Sequence, residues 1–432
     1  MLKIKFLPAL SFILLSLSLS GQPDKSVVKG IDAFEKGNYK LAYQSLNFAL
    51  DSLVFLSSDE IASAYLYRGR SSLELLYDAT LKGDSKEAAK YKNAFFDAYA
   101  DFRNALKFDS GILKYEIKKE VDNLYEPLLQ TGLAQLNAVY DGNYDPDDAK
   151  VALMYAGECL ITANQIKENY VAYDLLGQVN LEMQDTLKAY NYFLKSKALF
   201  KADGSLTPDL LVGYVYYRLA LIDLKKMKDP QRALGFLKEG TDAVNSEYEK
   251  IEAAALPPDK RTNYKELYNG VMQDLENLRR DIYIDYPEYA EAGVSEFKES
   301  LKKSPDDYAT LIALASLLEK SDVDSAISVY KKAIEVEPSH EVAWFNLGVL
   351  YYNMGVRLNL TAKALSDPDS TVYFNKEAEL KYENALPFLQ KAFEINPNSV
   401  ETIHALKQIC LKTYRYEEYD LYDELEKKFR NK

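Results

Sequence analysis

The amino-acid sequence predicts an all-α chain, a solenoid of antiparallel helix pairs, on three observations. Two stretches near the C-terminus repeat one pattern, Ala326-x3-Tyr330-x2-Ala333-x4-Pro338 and Ala385-x3-Leu389-x2-Ala392-x4-Pro397. Between them stands Trp344-x2-Leu347-Gly348-x2-Tyr351. Strand signals are nearly absent: Ala, Leu, Lys, Glu and Tyr dominate, and no Asn-Gly turn sits between alternating apolar residues. The spacing has a physical cause. Large residues at helical intervals on a first helix need small residues on the second if the two are to pack closely and antiparallel. The proline then ends the second helix and sets the turn into the next pair.

The elements follow in order. Residues 1–22 read as a secretory signal to be left out of the fold: Lys3 and Lys5, an apolar stretch from Phe6 to Leu19, then Ser18, Ser20 and Gly21 at a cleavage site. That stretch is shorter than the ~20 residues that span a bilayer. Residues 23–432 read as one solenoid, since no Gly/Ser/Pro-rich linker divides them. Gly30, Gly37, Ala42, Leu46 and Ala49 mark the first pair, over 24–51. Tyr65 and Gly69 go with Ala98, Phe102 and Ala105. Residues 111–163 form a degenerate pair, with Ala149, Leu153 and Ala156 on its second helix. Over 168–201, Tyr173-x2-Leu176-Gly177 precedes Ala189-x3-Phe193-x2-Ser196, and Gly177 is expected to face Ala189. Leu219 and Ala220 go with Ala233, Leu237 and Gly240. Gly293, Phe297 and Pro305 form a second half. The clearest copies follow at 306–338 and 340–397, and 398–430 supply C-terminal capping helices.

Two pairs carry insertions. The first-helix Gly precedes the second-helix Ala by twelve residues at Gly30/Ala42 and Gly177/Ala189, but by 29 at Gly69/Ala98 and 37 at Gly348/Ala385. The inserted residues are not glycine-rich. Val356–Leu365 and Ser370–Tyr382 continue as helix, broken by Ser366-Asp367-Pro368-Asp369, which predicts a lengthened helical hairpin with Pro387 kinking or starting its second helix. A similar device is expected around Leu81-Lys82-Gly83-Asp84.

The Trp-Leu-Gly-Tyr and Ala-large-Ala-Pro signatures resemble the two helices of a tetratricopeptide repeat, in order, and the resemblance runs over nearly the whole chain after residue 22. It implies a right-handed superhelical solenoid of about eight or nine pairs, a binding scaffold that performs no chemistry, and a concave groove lined by first helices. Carried over in register, it puts Phe345, Asn346, Val349, Tyr352 and Asn353 on that face. It adds Asp174, Gln178 and Glu182 in the middle repeat, and Tyr214, Tyr217, Arg218 and Lys225 in the next. Asn satisfies a bound backbone and Tyr supplies rigid apolar area. Family members that grip a C-terminal carboxylate use Lys, Asn and Arg on successive first helices. Only Asn346 and Arg218 stand near such positions, and Asp174 and Glu182 bring negative charge there, so that function is not carried over.

Charge narrows the partners. The chain carries 53 basic and 66 acidic residues, a net −13. Such a chain repels phosphate backbones and has no Lys/Arg cluster to offset it, so nucleic acid is not expected. Cys159 and Cys410 lie on helices of distant repeats, read as buried apolar residues without a disulfide. Two histidines, His340 and His404, make no metal spacing, no phosphate-cradling or nucleophile-elbow motif occurs, and no cofactor is expected. No Cys follows the apolar stretch, so a lipid anchor is not expected and the chain should not stay inserted in a membrane once cleaved. The reading is an exported, periplasmic or secreted, non-enzymatic adaptor that binds a protein or peptide partner. The alternatives are a carbohydrate-binding helical receptor component and, further off, a helical glycoside-acting enzyme.

Overall fold

A computed structural model of the protein describes residues 25–51, 53–202, 209–254 and 256–430; residues 1–22, read above as a secretory signal, lie outside them. The described residues are helices joined by turns and short connections, with no strand among them. In chain order the helices are α1 (Lys25–Glu35), α2 (Tyr39–Leu50), α3 (Ser58–Leu81), α4 (Ser85–Lys90), α5 (Ala94–Phe108), α6 (Lys114–Asn123), α7 (Tyr125–Tyr140), α8 (Pro146–Ile166), α9 (Tyr170–Glu182) and α10 (Thr186–Ala202). They continue with α11 (Val212–Ile222), α12 (Pro230–Ala253), α13 (Pro258–Asp285), α14 (Ala290–Lys303), α15 (Tyr308–Leu318), α16 (Val323–Val336), α17 (Glu341–Ala364), α18 (Pro368–Ile395), α19 (Val400–Lys412) and α20 (Tyr416–Arg430).

These residues divide into two compact units. One runs through Met227 and includes Asp242–Tyr268; the other comprises Lys228–Thr241 and the chain from Asn269 onward. In the first, α1 pairs with α2, α3 with α5, α7 with α8, and α9 with α10. In the second, the pairs are α15 with α16, α17 with α18, and α19 with α20. Tyr283 of α13 packs edge-on against Phe297 of α14 there, centroids 5.8 Å apart.

Local chemistry sets the boundaries. Ser57 and Glu60 form a reciprocal capping box that starts α3. Asp367 accepts from the Ser370 amide, with Pro368 in the first turn, so the Ser-Asp-Pro-Asp break is the start of α18. Gly37 and Gly83 end α1 and α3 in left-handed turns, at φ +75° and +69°.

Within each pair a small residue on the first helix receives a large side chain from the second. A Cβ on Gly30 would stand 2.5 Å from Leu46 Cγ, on Gly69 2.7 Å from the Phe102 ring, and on Gly348 2.6 Å from Leu389 Cγ. In the middle repeat the opposing residue is Phe193, not Ala189: the residue four positions beyond the small one carries the volume. The same rule corrects the register of the degenerate pair. Gly132 packs on Leu160, so the second-helix triplet is Ala156, Leu160 and Ala163, one heptad beyond the expected Ala149, Leu153 and Ala156.

Both insertions are helical. The first lengthens α3 to 24 residues and adds the six-residue α4. The second lengthens α17 and α18 to 24 and 28 residues. Pro387 lies inside α18 and does not start it: the helix runs through from Pro368. The longer hairpin extends the packing by one heptad on each strand of the pair. Gly355 lies seven residues after Gly348, and it receives Tyr382, seven residues before Leu389. The Tyr382 hydroxyl accepts from Asn359 Nδ2 at 2.9 Å.

Candidate functional site

Five of the residues placed on first helices by register meet in one polar and aromatic patch of the first unit. Asp174 and Gln178 lie one turn apart on α9. Gln178 Nε2 donates to Asp174 Oδ2 at 2.8 Å, and Arg218 Nη1 of α11 donates to Asp174 Oδ1 at 3.0 Å. The carboxylate therefore binds with both oxygens and fixes the guanidinium. Arg218 also lies 5.8 Å from the ring centroids of Phe193 and Tyr214, where a cation is attracted by the ring face. Arg218 is thus held in place, not the isolated cation that the acidic composition suggests. Glu182, at the exposed end of α9, raises the Tyr140 hydroxyl. Burial first and Glu182 second push that phenol up to about 12. Burial also pushes the Asp174 carboxyl up, against the pull of Arg218 and Gln178. Tyr217 is half-buried on α11, while Lys225 is exposed on the π-helical turn Asp223–Met227 that follows it.

The expected groove residues Phe345, Asn346, Val349, Tyr352 and Asn353 lie in the second unit. Phe345 and Tyr352 are half-buried and pack against the core formed by Ala385, Leu389, Ile403 and Leu406. Tyr352 also meets the Tyr382 ring at 5.5 Å. Asn346 bonds the Tyr330 hydroxyl, inside a buried network in which Tyr330 donates to Glu319 Oε1 at 2.7 Å. Asn353 is exposed. In this unit register alone mixed surface residues with residues that hold the next pair in place.

Two ion networks in the first unit escaped the sequence reading. Arg68 makes a fork to Asp101, 2.9 and 2.6 Å, and donates to Asn47 Oδ1 at 2.8 Å. Arg70 bonds Glu116 and Glu120, each at 2.7 Å, across α3 and α6. A signal existed: Arg70 follows Gly69 as Gln178 follows Gly177, so the register that selects Gln178 selects Arg70 too.

The histidines and cysteines of the described residues are held in pairs or buried. No group of three or more His, Cys, Asp or Glu there could hold a metal ion. His340 Nδ1 lies 3.1 Å from the Tyr308 hydroxyl, and His404 pairs with Glu426. Cys159 and Cys410 are free and fully buried, their thiols pushed up to about 12 and about 11 by burial, the reverse of a nucleophile's environment.

The family model described as a TPR repeat matches residues 315–355, from the end of α15 through α16 into α17. Residues 315–355 carry a tetratricopeptide repeat. A TPR repeat-containing protein of Methanocaldococcus jannaschii is 24% identical over 324 residues, 69% of this chain and 53% of the relative. The chain spans about half the length of the curated relative it matches. Among solved structures, a TPR repeats protein from Bacteroides fragilis is 18% identical, with a TM-score of 0.29 over 66% of this chain and 97% of that one. Yeast Tom70 is 15% identical, with a TM-score of 0.32 over 93% of this chain and 90% of its own. No helix of the described residues is long and apolar enough to cross a membrane.

Proposed function

We propose that the chain is a non-enzymatic adaptor of the cell envelope that holds a segment of a partner protein against its first helices. One observation carries the reading: Arg218 is held by Asp174, itself bonded by Gln178, beside the Tyr214 ring and near Tyr140. A guanidinium fixed by one carboxylate oxygen keeps further donors for carbonyl groups of an extended segment, and the tyrosines offer rigid apolar area at low entropy cost. Export rests on residues 1–22; N-terminal sequencing of the exported protein should begin at Gly21 or Gln22, and an intact Met1 on a membrane-bound form would count against it.

The binding test is capture from an envelope extract by the chain lacking residues 1–22, beside its Arg218→Ala variant. The reading expects a discrete partner whose capture by the variant drops at least tenfold while helicity stays unchanged. Equal capture by both proteins would remove this patch from the binding surface.

A further inference from the structure

The inserted hairpin leaves one helix face without a covering element. On α18, Val372, Tyr373 and Leu380 are 67%, 59% and 51% exposed, and Pro387 is exposed as well. Tyr373, Leu380 and Pro387 recur every seven residues, so they form one stripe along the helix. That stripe points away from Ala378, Tyr382, Ala385 and Leu389, which are buried and face α17. Together these side chains form an exposed apolar surface on α18.

We propose that a second copy of this chain covers it, α18 packing antiparallel on α18 about a two-fold axis at Leu380. Charge selects this occupant. With a net charge of −13, two copies repel over most of their surface, so they can associate only where charges balance. The antiparallel register about Leu380 brings Leu380 onto Leu380 and Tyr373 onto Pro387. On one flank, Lys376 of each copy lies beside Glu383 of the other; on the other flank, Glu377 lies beside Asn384. No like charges are opposed, and the patch is complementary to itself, as a closed two-fold contact requires. Glu383 also accepts from Arg415 Nη2 of its own chain at 3.0 Å, which holds its carboxylate at the edge of the stripe. Pro387 suits this face: its ring is turned to the outside and leaves the Leu389 contact with Gly348 intact. A single two-helix seam falls near or below the ~1,200 Å² lower end of stable interfaces, so association should depend on concentration.

The test uses the chain without residues 1–22. Leu380→Cys places a thiol on the axis, close to its own symmetry mate. Leu360→Cys, on α17 and 60% exposed, is the control on the other side of the hairpin. The native cysteines are fully buried and should stay silent. Under copper-catalysed air oxidation, Leu380→Cys should yield a disulfide-linked dimer at least tenfold faster than Leu360→Cys. In sedimentation equilibrium the wild-type chain should shift from monomer to dimer with rising concentration, while Leu380→Glu stays monomeric with unchanged circular dichroism. A wild-type chain that is monomeric throughout, equal cross-linking of the two cysteine variants, or a dimer that survives Leu380→Glu would each overturn the proposal.

Discussion

The ring of Phe193 occupies the place where a Cβ on Gly177 would project. Phe193 is fully buried and also lies under the Arg218 guanidinium, so it has no room to withdraw. Gly177→Ala should therefore destabilise the protein by ~1–3 kcal/mol through overpacking. Adding Phe193→Leu should recover part of that loss, because the two residues are in contact and their effects are coupled. Thermal melts of the two single variants and the double decide it. An unchanged melting temperature for Gly177→Ala would show that the helices do not approach there.

The ion network around Arg70 should respond sharply to loss of one partner. The side chains of Arg70 and Glu120 are 10% and 5% exposed. Glu120→Ala leaves a buried guanidinium with only the more exposed Glu116, and should cost ~3–5 kcal/mol. Lys36 and Asp32 make an ion pair of similar length on the surface, at 70% and 57% exposure, and Asp32→Ala should cost less than ~1 kcal/mol. Denaturant titrations of both variants give the contrast; equal effects would contradict it.

Much of the fold was legible because the repeat writes its packing into the spacing of single residues. Gly30, Gly69, Gly177 and Gly348 announce their helices through the large residue each must receive. The insertion after Gly348 was legible for the same reason: its residues keep helical composition, and Asp367-Pro368 is a helix start. The degenerate pair was misread by one heptad, because Ala149 and Ala156 satisfy the small-residue rule as well as Ala156 and Ala163 do. The candidate site was legible only by register. Register brought Asp174 and Arg218 together where α9 meets α11, and the two bond each other. Register carries no information on whether Phe345 meets solvent or the next pair, and Tyr140 lies at a helix end outside the repeat pattern.

Buried tyrosines set an alkaline limit. Burial first, then Glu319, raises the Tyr330 phenol; burial first, then Glu296, raises Tyr283. For each, the folded pKa exceeds the unfolded one, so the stabilisation is complete below about pH 10 and is lost as pH rises toward the folded value. Absorbance at 295 nm and helicity followed from pH 8 to 13 should show a set of tyrosines that ionise only as the helices melt. Full ionisation near pH 10 with helicity retained would contradict this.

Phe345 and Tyr352 should behave as packing residues. Each touches the core that α18 shares with α19, so Phe345→Ala and Tyr352→Ala should each lower stability by ~1–3 kcal/mol. Asn353, exposed one residue on, should tolerate Ala within about 0.5 kcal/mol. Chemical denaturation of the three variants is the check; two neutral aromatic substitutions would return Phe345 and Tyr352 to the binding surface.

The partner segment proposed to lie along the first helices of the first unit can be located by cross-linking. The most direct measurement places a photo-reactive amino acid at Glu182, the exposed end of α9, and compares it with one at Leu187 on α10, 66% exposed. Irradiated in envelope extract, the Glu182 derivative should form a single strong adduct that weakens with Arg218→Ala, while the Leu187 derivative should not. Adducts of equal yield at the two positions, or an adduct at Glu182 indifferent to Arg218, would contradict the account.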